Sequence, residues 1–105
     1  MTTTTIDRKE QEALEAAATM LKAVAHPARI AMIELLDNAQ RRSVTELFEL
    51  LGMEQAVTSH HLALLRDKGV LRQEREGKHV YYSLKHPRLI EVVRCIRDCC
   101  TVEAR

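Results

Sequence analysis

The sequence predicts a mainly α-helical single domain carrying one two-stranded β-hairpin, and three observations lead there. Apolar residues recur at three- and four-residue spacing in five separate segments. One stretch, 70–84, instead places β-rich residues on both sides of Glu76-Gly77-Lys78 and alternates apolar and polar side chains. The 105 residues, 46% of them hydrophobic, suffice for one modest core and no second domain.

Residues 1–7 open with a threonine run at 2–5 and are expected to be disordered. Over 8–25, Leu14, Ala17, Ala18, Leu21 and Ala25 form one apolar stripe, so a first helix should face a partner along it. Pro27 is tolerated in a first helical turn and opens a second helix, to about residue 38, with Ile30, Ile33 and Leu36 inward. Ser43 and Glu46 have the spacing of a capping box and begin a short helix carrying Val44, Leu47 and Leu51. Gly52 ends it, and after Met53 and Glu54 a fourth helical pattern runs over 55–68, with Thr58, Leu62 and Leu65 on one face, until Gly69. In the hairpin Val80, Tyr82 and Leu84 alternate with His79, Tyr81 and Ser83, so one tyrosine ring should pack under the sheet and the other lie on its outer side. Pro87 opens a last helix, 88–101, whose stripe is Leu89, Val92, Val93 and Ile96.

Sixteen Lys and Arg against fifteen Asp and Glu leave a charge of +1, which excludes a polycationic coat. The distribution is more telling. Residues 1–39 carry −2, whereas 40–88 carry +3 together with His60, His61, His79 and His86, which makes the middle the anion-facing part. Three aromatic residues and three glycines argue against base-stacking readers of single strands and against Gly-rich phosphate loops. There is neither a signal-length apolar segment near the start nor a run of eighteen apolar residues, so a cytoplasmic protein with no membrane partner is expected. Cys95, Cys99 and Cys100 are odd in number and crowded together, unlike a disulfide framework, so any role is as thiols. Nor is there a Ser, His and carboxylate set at catalytic spacing, a metal quartet or a phosphate loop, and no enzyme is expected.

A short helix, a tight turn, a second helix and then a hairpin is the order of a winged helix-turn-helix over 43–68 and 70–84, in which one helix enters the major groove and the wing brushes the neighbouring backbone. The start of the second helix carries Gln55, Thr58, Ser59, His60 and His61, short donors and acceptors suited to base edges and phosphates. Arg72, Arg75 and Lys78 on the wing would neutralise phosphates. Because one reading helix spans only a few base pairs, the double-stranded DNA partner requires a homodimer joined through the apolar first and last helices, 8–25 and 88–101.

Residues 21–29 (LKAVAHPAR), 44–47 (VTEL), 55–66 (QAVTSHHLALLR), 68–71 (KGVL) and 76–84 (EGKHVYYSL) resemble the ArsR/SmtB family of bacterial repressors over roughly 21–84. The resemblance implies a dimeric winged-helix repressor on an inverted-repeat operator, released when a metal ion, metalloid or oxidant is bound. Gln55, Ser59 and His61 match the family's recognition segment. Ala56, Thr58 and Glu54 depart from it, the last standing where a serine commonly caps.

The family's thiolate site on the short helix falls on Ser43, Thr45 and Phe48, which supply no thiolate, and its last-helix zinc site on His86, Arg88, Cys99 and Val102, with at most two ligands per chain. Cys95 and Cys99 lie one turn apart with Cys100 beside them. Two readings stay open: three sulfurs converging on a soft metal or metalloid ion if the helix end yields, with Arg94 and Arg97 nearby, or small apolar side chains filling the dimer seam. Adjacent histidines on a helix point about 100° apart, so His60 and His61 suit phosphate contact or packing better than one metal, and His26 before Pro27 is expected to be half-buried and satisfied. Alternatives to the sensing repressor are a DNA-binding regulator of this type with structural cysteines, and a dimeric interaction module that has kept the fold without the DNA.

Overall fold

The computed structural model describes residues 6–38 and 40–103. Along the chain run α1 (Arg8–Val24), α2 (Pro27–Leu35), β1 (Arg42–Ser43), α3 (Val44–Leu51), α4 (Gln55–Asp67), β2 (Leu71–Glu76), β3 (His79–Leu84) and α5 (Leu89–Glu103). The five helices and the hairpin stand where the sequence places them. The threonine run at 2–5 lies outside the described residues, but Asp7, also expected to be disordered, is the N-cap of α1, its carboxylate accepting from the Glu10 N–H at 2.8 Å.

One strand escaped the sequence. The sheet is three-stranded and antiparallel in the order β1-β3-β2, with Arg42 opposite Tyr82 and Ser43 opposite Tyr81. Two polar residues carry no period-2 pattern; they become a strand because Arg42 Nε donates to the Leu35 carbonyl at 2.7 Å and lays the chain beside β3. The wing is therefore a hairpin paired at its base with a third strand. Gly77 supplies the positive φ, 61°, that its two-residue turn needs.

Met32 and Ile33 of α2 with its C-cap Leu36, Leu47 of α3, Leu62 and Leu65 of α4, and Val70 and Leu71 form the centre of the core, closed by Tyr82 and Leu84 from the sheet and by Ile90 and Val93 from α5. Tyr82 is buried and Tyr81 lies on the other side of the sheet, as the alternation requires. The flanking helices are different. Leu14 and Leu21 of α1 are 49% and 58% exposed, Val92 and Ile96 of α5 47% and 59%, and the molecule is long, 57 × 40 × 23 Å. The α1 stripe faces solvent, and so do Val92 and Ile96 of the α5 stripe, while Val93 reaches the core.

The capping box at α3 is complete: the Glu46 N–H donates to Ser43 Oγ at 3.1 Å and the Ser43 N–H to Glu46 Oε1 at 2.9 Å. The hydrogen bond from the Ser43 backbone holds the Glu46 carboxyl below its usual range. A carboxylate depressed in the fold stabilises it above the ordinary value and loses that contribution as the pH falls through the folded one. Ser43→Ala should therefore cost about 1 kcal/mol in urea unfolding at neutral pH, and Glu46→Gln should be less stable than the parent at neutral pH and converge on it in acid.

Candidate nucleic-acid interface

The helix-turn-helix is set by a single reversal. Gly52 ends α3 in the left-handed conformation, φ 64°, and the Met53 N–H returns to the Phe48 carbonyl at 3.1 Å, so the chain turns out of α3 and α4 starts two residues later. Glu54 is the N-cap of α4 without a side-chain cap bond, and its carboxylate is left at the end of the helix that would approach DNA. The departure from serine noted in the sequence is thus a missing cap as well as a misplaced charge.

One side of α4 is sealed. Thr58 is 0% exposed and donates through Oγ1 to the Glu54 carbonyl at 3.0 Å; His61 is 8% exposed; Leu62 and Leu65 are buried beside them. Two expected DNA contacts are corrected by this. Thr58 lies on the face that its own apolar neighbours occupy, and its hydroxyl is spent on the preceding turn. His61 points into the same interior, where its Nδ1 accepts from Arg29 Nε at 3.1 Å and its ring lies 4.6 Å from that of His26. Of the five helix residues proposed from sequence, Gln55, Ser59 and His60 remain exposed. With about 100° per residue, Ala56 and Ala63 fall on the same outward side. They were missed because alanine has no hydrogen-bonding signature, yet small residues there let the helix backbone approach a groove wall.

Burial lowers the His61 pKa first, and His26, Arg29 and His60 lower it further. Accepting a bond at Nδ1 places its proton on Nε2. His26 is exposed rather than half-buried, and it is satisfied by capping α2, its Nδ1 accepting from the Ala28 N–H at 3.1 Å.

The wing is fastened on both faces. On one, Arg66 of α4 donates to Gln73 Oε1 at 2.9 Å and Gln73 donates to the Tyr82 hydroxyl at 3.1 Å. On the other, Arg41 grips Glu76 through both guanidinium nitrogens, at 2.6 and 3.0 Å, and lies 4.2 Å over the Tyr81 ring. Arg41 holds the Glu76 carboxyl below its usual range and offsets an acid next to the turn. Arg75 and Lys78 sit exposed at this end of the hairpin. Arg72 is also exposed, but the register places it opposite Ser83, on the other face from Arg75 and nearer the strand base. The three wing cations do not form one patch.

The thiols are likewise dispersed. Cys95, Cys99 and Cys100 are all exposed, and among the described residues no three His, Cys, Asp or Glu side chains are gathered to hold a metal ion. Cys100 lines the groove between α1 and α5, whereas Cys95 lines a second groove beyond Val92 and Ile96, with His86 and Arg88. In this conformation the three sulfurs do not converge within one chain, since about 140° of helix rotation separates Cys95 from Cys100. Cys100 shares its groove with Ala17, Met20, Leu21 and Val24 of α1, whereas the groove of Cys95 meets α1 only at Met20. Arg94 and Arg97, expected beside the thiols, pair instead with Asp37 and Glu34. At the short-helix position Ser43 is occupied by its capping role.

A helix-turn-helix with one helix exposing short polar residues, followed by a hairpin with a cationic end, defines a winged-helix DNA-binding protein. Residues 26–73 match the family described as bacterial regulatory protein, arsR family. Over 88 residues the chain is 31% identical to the HTH-type transcriptional regulator YgaV of Escherichia coli strain K12, covering 84% of this chain and 89% of that one. It is 33% identical over 92 residues to the transcriptional repressor PagR of Bacillus anthracis, covering 87% and 92%, and the PagR crystal structure matches with a TM-score of 0.75 over 83% of this chain and 99% of that one. A homodimeric winged helix-turn-helix DNA-binding domain from Mycobacterium bovis, solved in solution, matches at 29% identity with a TM-score of 0.78, over 93% and 91%. The chain belongs to the ArsR family and is a DNA-binding transcriptional regulator. Among the described residues no helix is long and apolar enough to cross a membrane.

The buried His61 has a measurable signature. Its ring should titrate with a midpoint below the ordinary 6.5 in an NMR pH series. A folded value lower than the unfolded one means that its contribution to stability is whole above pH 6.5 and declines as the pH falls from there through the folded value. A ring that titrates at or above 6.5 contradicts the geometry.

Proposed function

We propose that this regulator is a cytoplasmic repressor that binds an inverted-repeat duplex as a symmetric dimer. Each α4 reads one half-site through Gln55, Ser59 and His60, while Arg75 and Lys78 position the wing on phosphates and Arg72 adds charge at its base. The observation that carries this reading is the division of α4 into a sealed face and an exposed polar one, with the wing tied to its far end by Arg66 and Gln73. Dimerisation is supported by the uncovered stripes of α1 and α5, which border a groove of about 620 Å³ lined almost wholly by carbon. Exposed apolar area of this extent marks an interaction surface, and the Mycobacterium bovis relative is a homodimer. A two-fold axis there would set the two α4 helices about one turn of duplex, roughly 34 Å, apart.

A second reading concerns release. Cys100 borders the α1–α5 groove, so a group added to its thiol enters the dimer seam. An oxidant or a soft metal or metalloid ion would then act on pairing, not through a three-sulfur site in one chain.

Two measurements test the first reading. Gln55→Ala or Ser59→Ala should relax sequence preference by ~1–3 kcal/mol, whereas Lys78→Ala should weaken cognate and random duplexes alike and reduce the salt slope by about one. Equal losses on both DNAs for all three variants would remove α4 from the reading role. For the seam, Ile96→Glu should sediment as a monomer and lose operator affinity. Alkylating the reduced protein should shift it the same way, with Cys100→Ser, but neither Cys95→Ser nor Cys99→Ser, giving protection.

A further inference from the structure

At the end of α4 remote from its reading residues, a recess of about 330 Å³ opens between α1, α2 and α4, lined by Thr19, Lys22, Ala23, Arg29, Leu64 and Lys68. Its three ionisable groups are all cations, each from a different helix or its cap. Arg29 is half-buried, and its two protein partners are neutral: the His61 ring and the Ala23 carbonyl, the latter at 3.0 Å from Nη1. Among the described residues no carboxylate pairs with Arg29, Lys22 or Lys68; the ion pairs there use Arg41, Arg42, Arg66, Arg88, Arg94 and Arg97. A partly buried guanidinium without a counter-charge is uncommon, because removing a charge from water is costly unless an opposite charge compensates it. The Thr19 hydroxyl donates to the Glu15 carbonyl and so is not counted among the donors.

We propose that this recess binds a phosphate group, with Arg29 as the bidentate donor and Lys22 and Lys68 supplying the remaining charge. Three converging cations match a dianion better than a singly charged carboxylate, and the planar guanidinium fits phosphate oxygens in pairs. The recess lies apart from the reading surface: Lys68 is nine residues beyond Ser59, about 13 Å along the helix axis at 1.5 Å per residue. The phosphate could come from a small phosphorylated metabolite or from the DNA backbone, and the two sources are separable. Because Arg29 also holds His61 of α4, an anion that draws the guanidinium outward loosens the bond that seats the reading helix. This coupling, unlike the site itself, rests on the DNA-reading role of α4.

The test uses the full chain without DNA. Inorganic phosphate and phenyl phosphate are titrated at constant ionic strength with acetate as the control, following the amide and Arg29 Nε–H signals by NMR. Saturable shifts at residues 22, 29 and 68 with phosphate and not acetate, weakened at least tenfold in the Lys22→Gln/Lys68→Gln variant, are expected. These lysines are on the surface, so that variant should keep the parent's circular dichroism and melting temperature. Absence of saturation with millimolar phosphate, or equal response to acetate, overturns the site. Anisotropy on duplex DNA then separates the sources. Loss of DNA affinity in the double variant without any phosphate titration assigns the cations to backbone contact and overturns the small-ligand reading. Phosphate that weakens DNA binding by the parent but not by the double variant supports the coupling, and phosphate that binds without changing DNA affinity overturns it. Should the parent ignore duplex DNA yet titrate with phosphate, the reading role of α4 fails while the site stands.

Discussion

Which side chains α4 turns outward depends on the burial of its opposite side. Thr58, His61, Leu62 and Leu65 pack against α2, α3 and the sheet, and a helix so held cannot roll. Each is a different kind of fastening. The leucines contribute apolar burial, about 1.5–3 kcal/mol apiece. Thr58 closes its hydroxyl on the preceding turn, and His61 is locked by a hydrogen bond to a neighbouring helix. A rotation of even one residue's worth, about 100°, would exchange Ser59 for a buried position. The outward orientation of Gln55, Ser59 and His60 is thus a consequence of core packing and not of those residues themselves.

The wing faces the opposite problem, since most of β2 stands clear of the core: beyond Leu71 all its residues are exposed. A hairpin of two strands is marginal alone. Its aim is set by side chains that bridge to other elements, Arg66 through Gln73 to Tyr82 on one face and Arg41 to Glu76 and Tyr81 on the other. Exposed ion pairs contribute little to stability, commonly below about 1 kcal/mol. Their value here is directional. They hold the hairpin against α4 and mask the acid nearest the turn, which leaves Arg75 and Lys78 to dominate the field at that end.

Between these parts lies α2, which touches both the reading helix and the flanking helices. Its N-terminal turn carries Arg29, joined to His61 of α4 and to the end of α1, and Glu34 near its C-terminal end and Asp37 just beyond it pair with Arg97 and Arg94 of α5. A displacement of α5 in a dimer seam therefore meets α2 before it meets α4. The thiols of α5 are on exposed sides of that helix, so their chemistry would reach α4 only through such packing.

Much of this was legible from residue order alone, because helices, capping boxes and tight turns are local: Pro27, Ser43 with Glu46, Gly52 and Gly77 each specify a boundary through the conformations their own backbones allow. Hence the five helices, the hairpin, the winged helix-turn-helix order and the exposed Gln55, Ser59 and His60 could be read directly. Nonlocal geometry decided the rest. Arg42 and Ser43 became a strand only because β3 lay beside them. Periodicity already placed Thr58 with Leu62 and Leu65, yet hydrogen-bonding chemistry suggested the opposite; His61 turned inward because Arg29, thirty-two residues earlier, offered it a donor. Arg72 and Arg75 parted across the sheet, Cys100 parted from Cys95 around their helix, and Lys68 came to line one recess with Lys22 and Arg29 from a distant segment. Which polar side chain faces water and which faces the core is determined by contacts between distant parts of the chain, and only the tertiary structure supplies those.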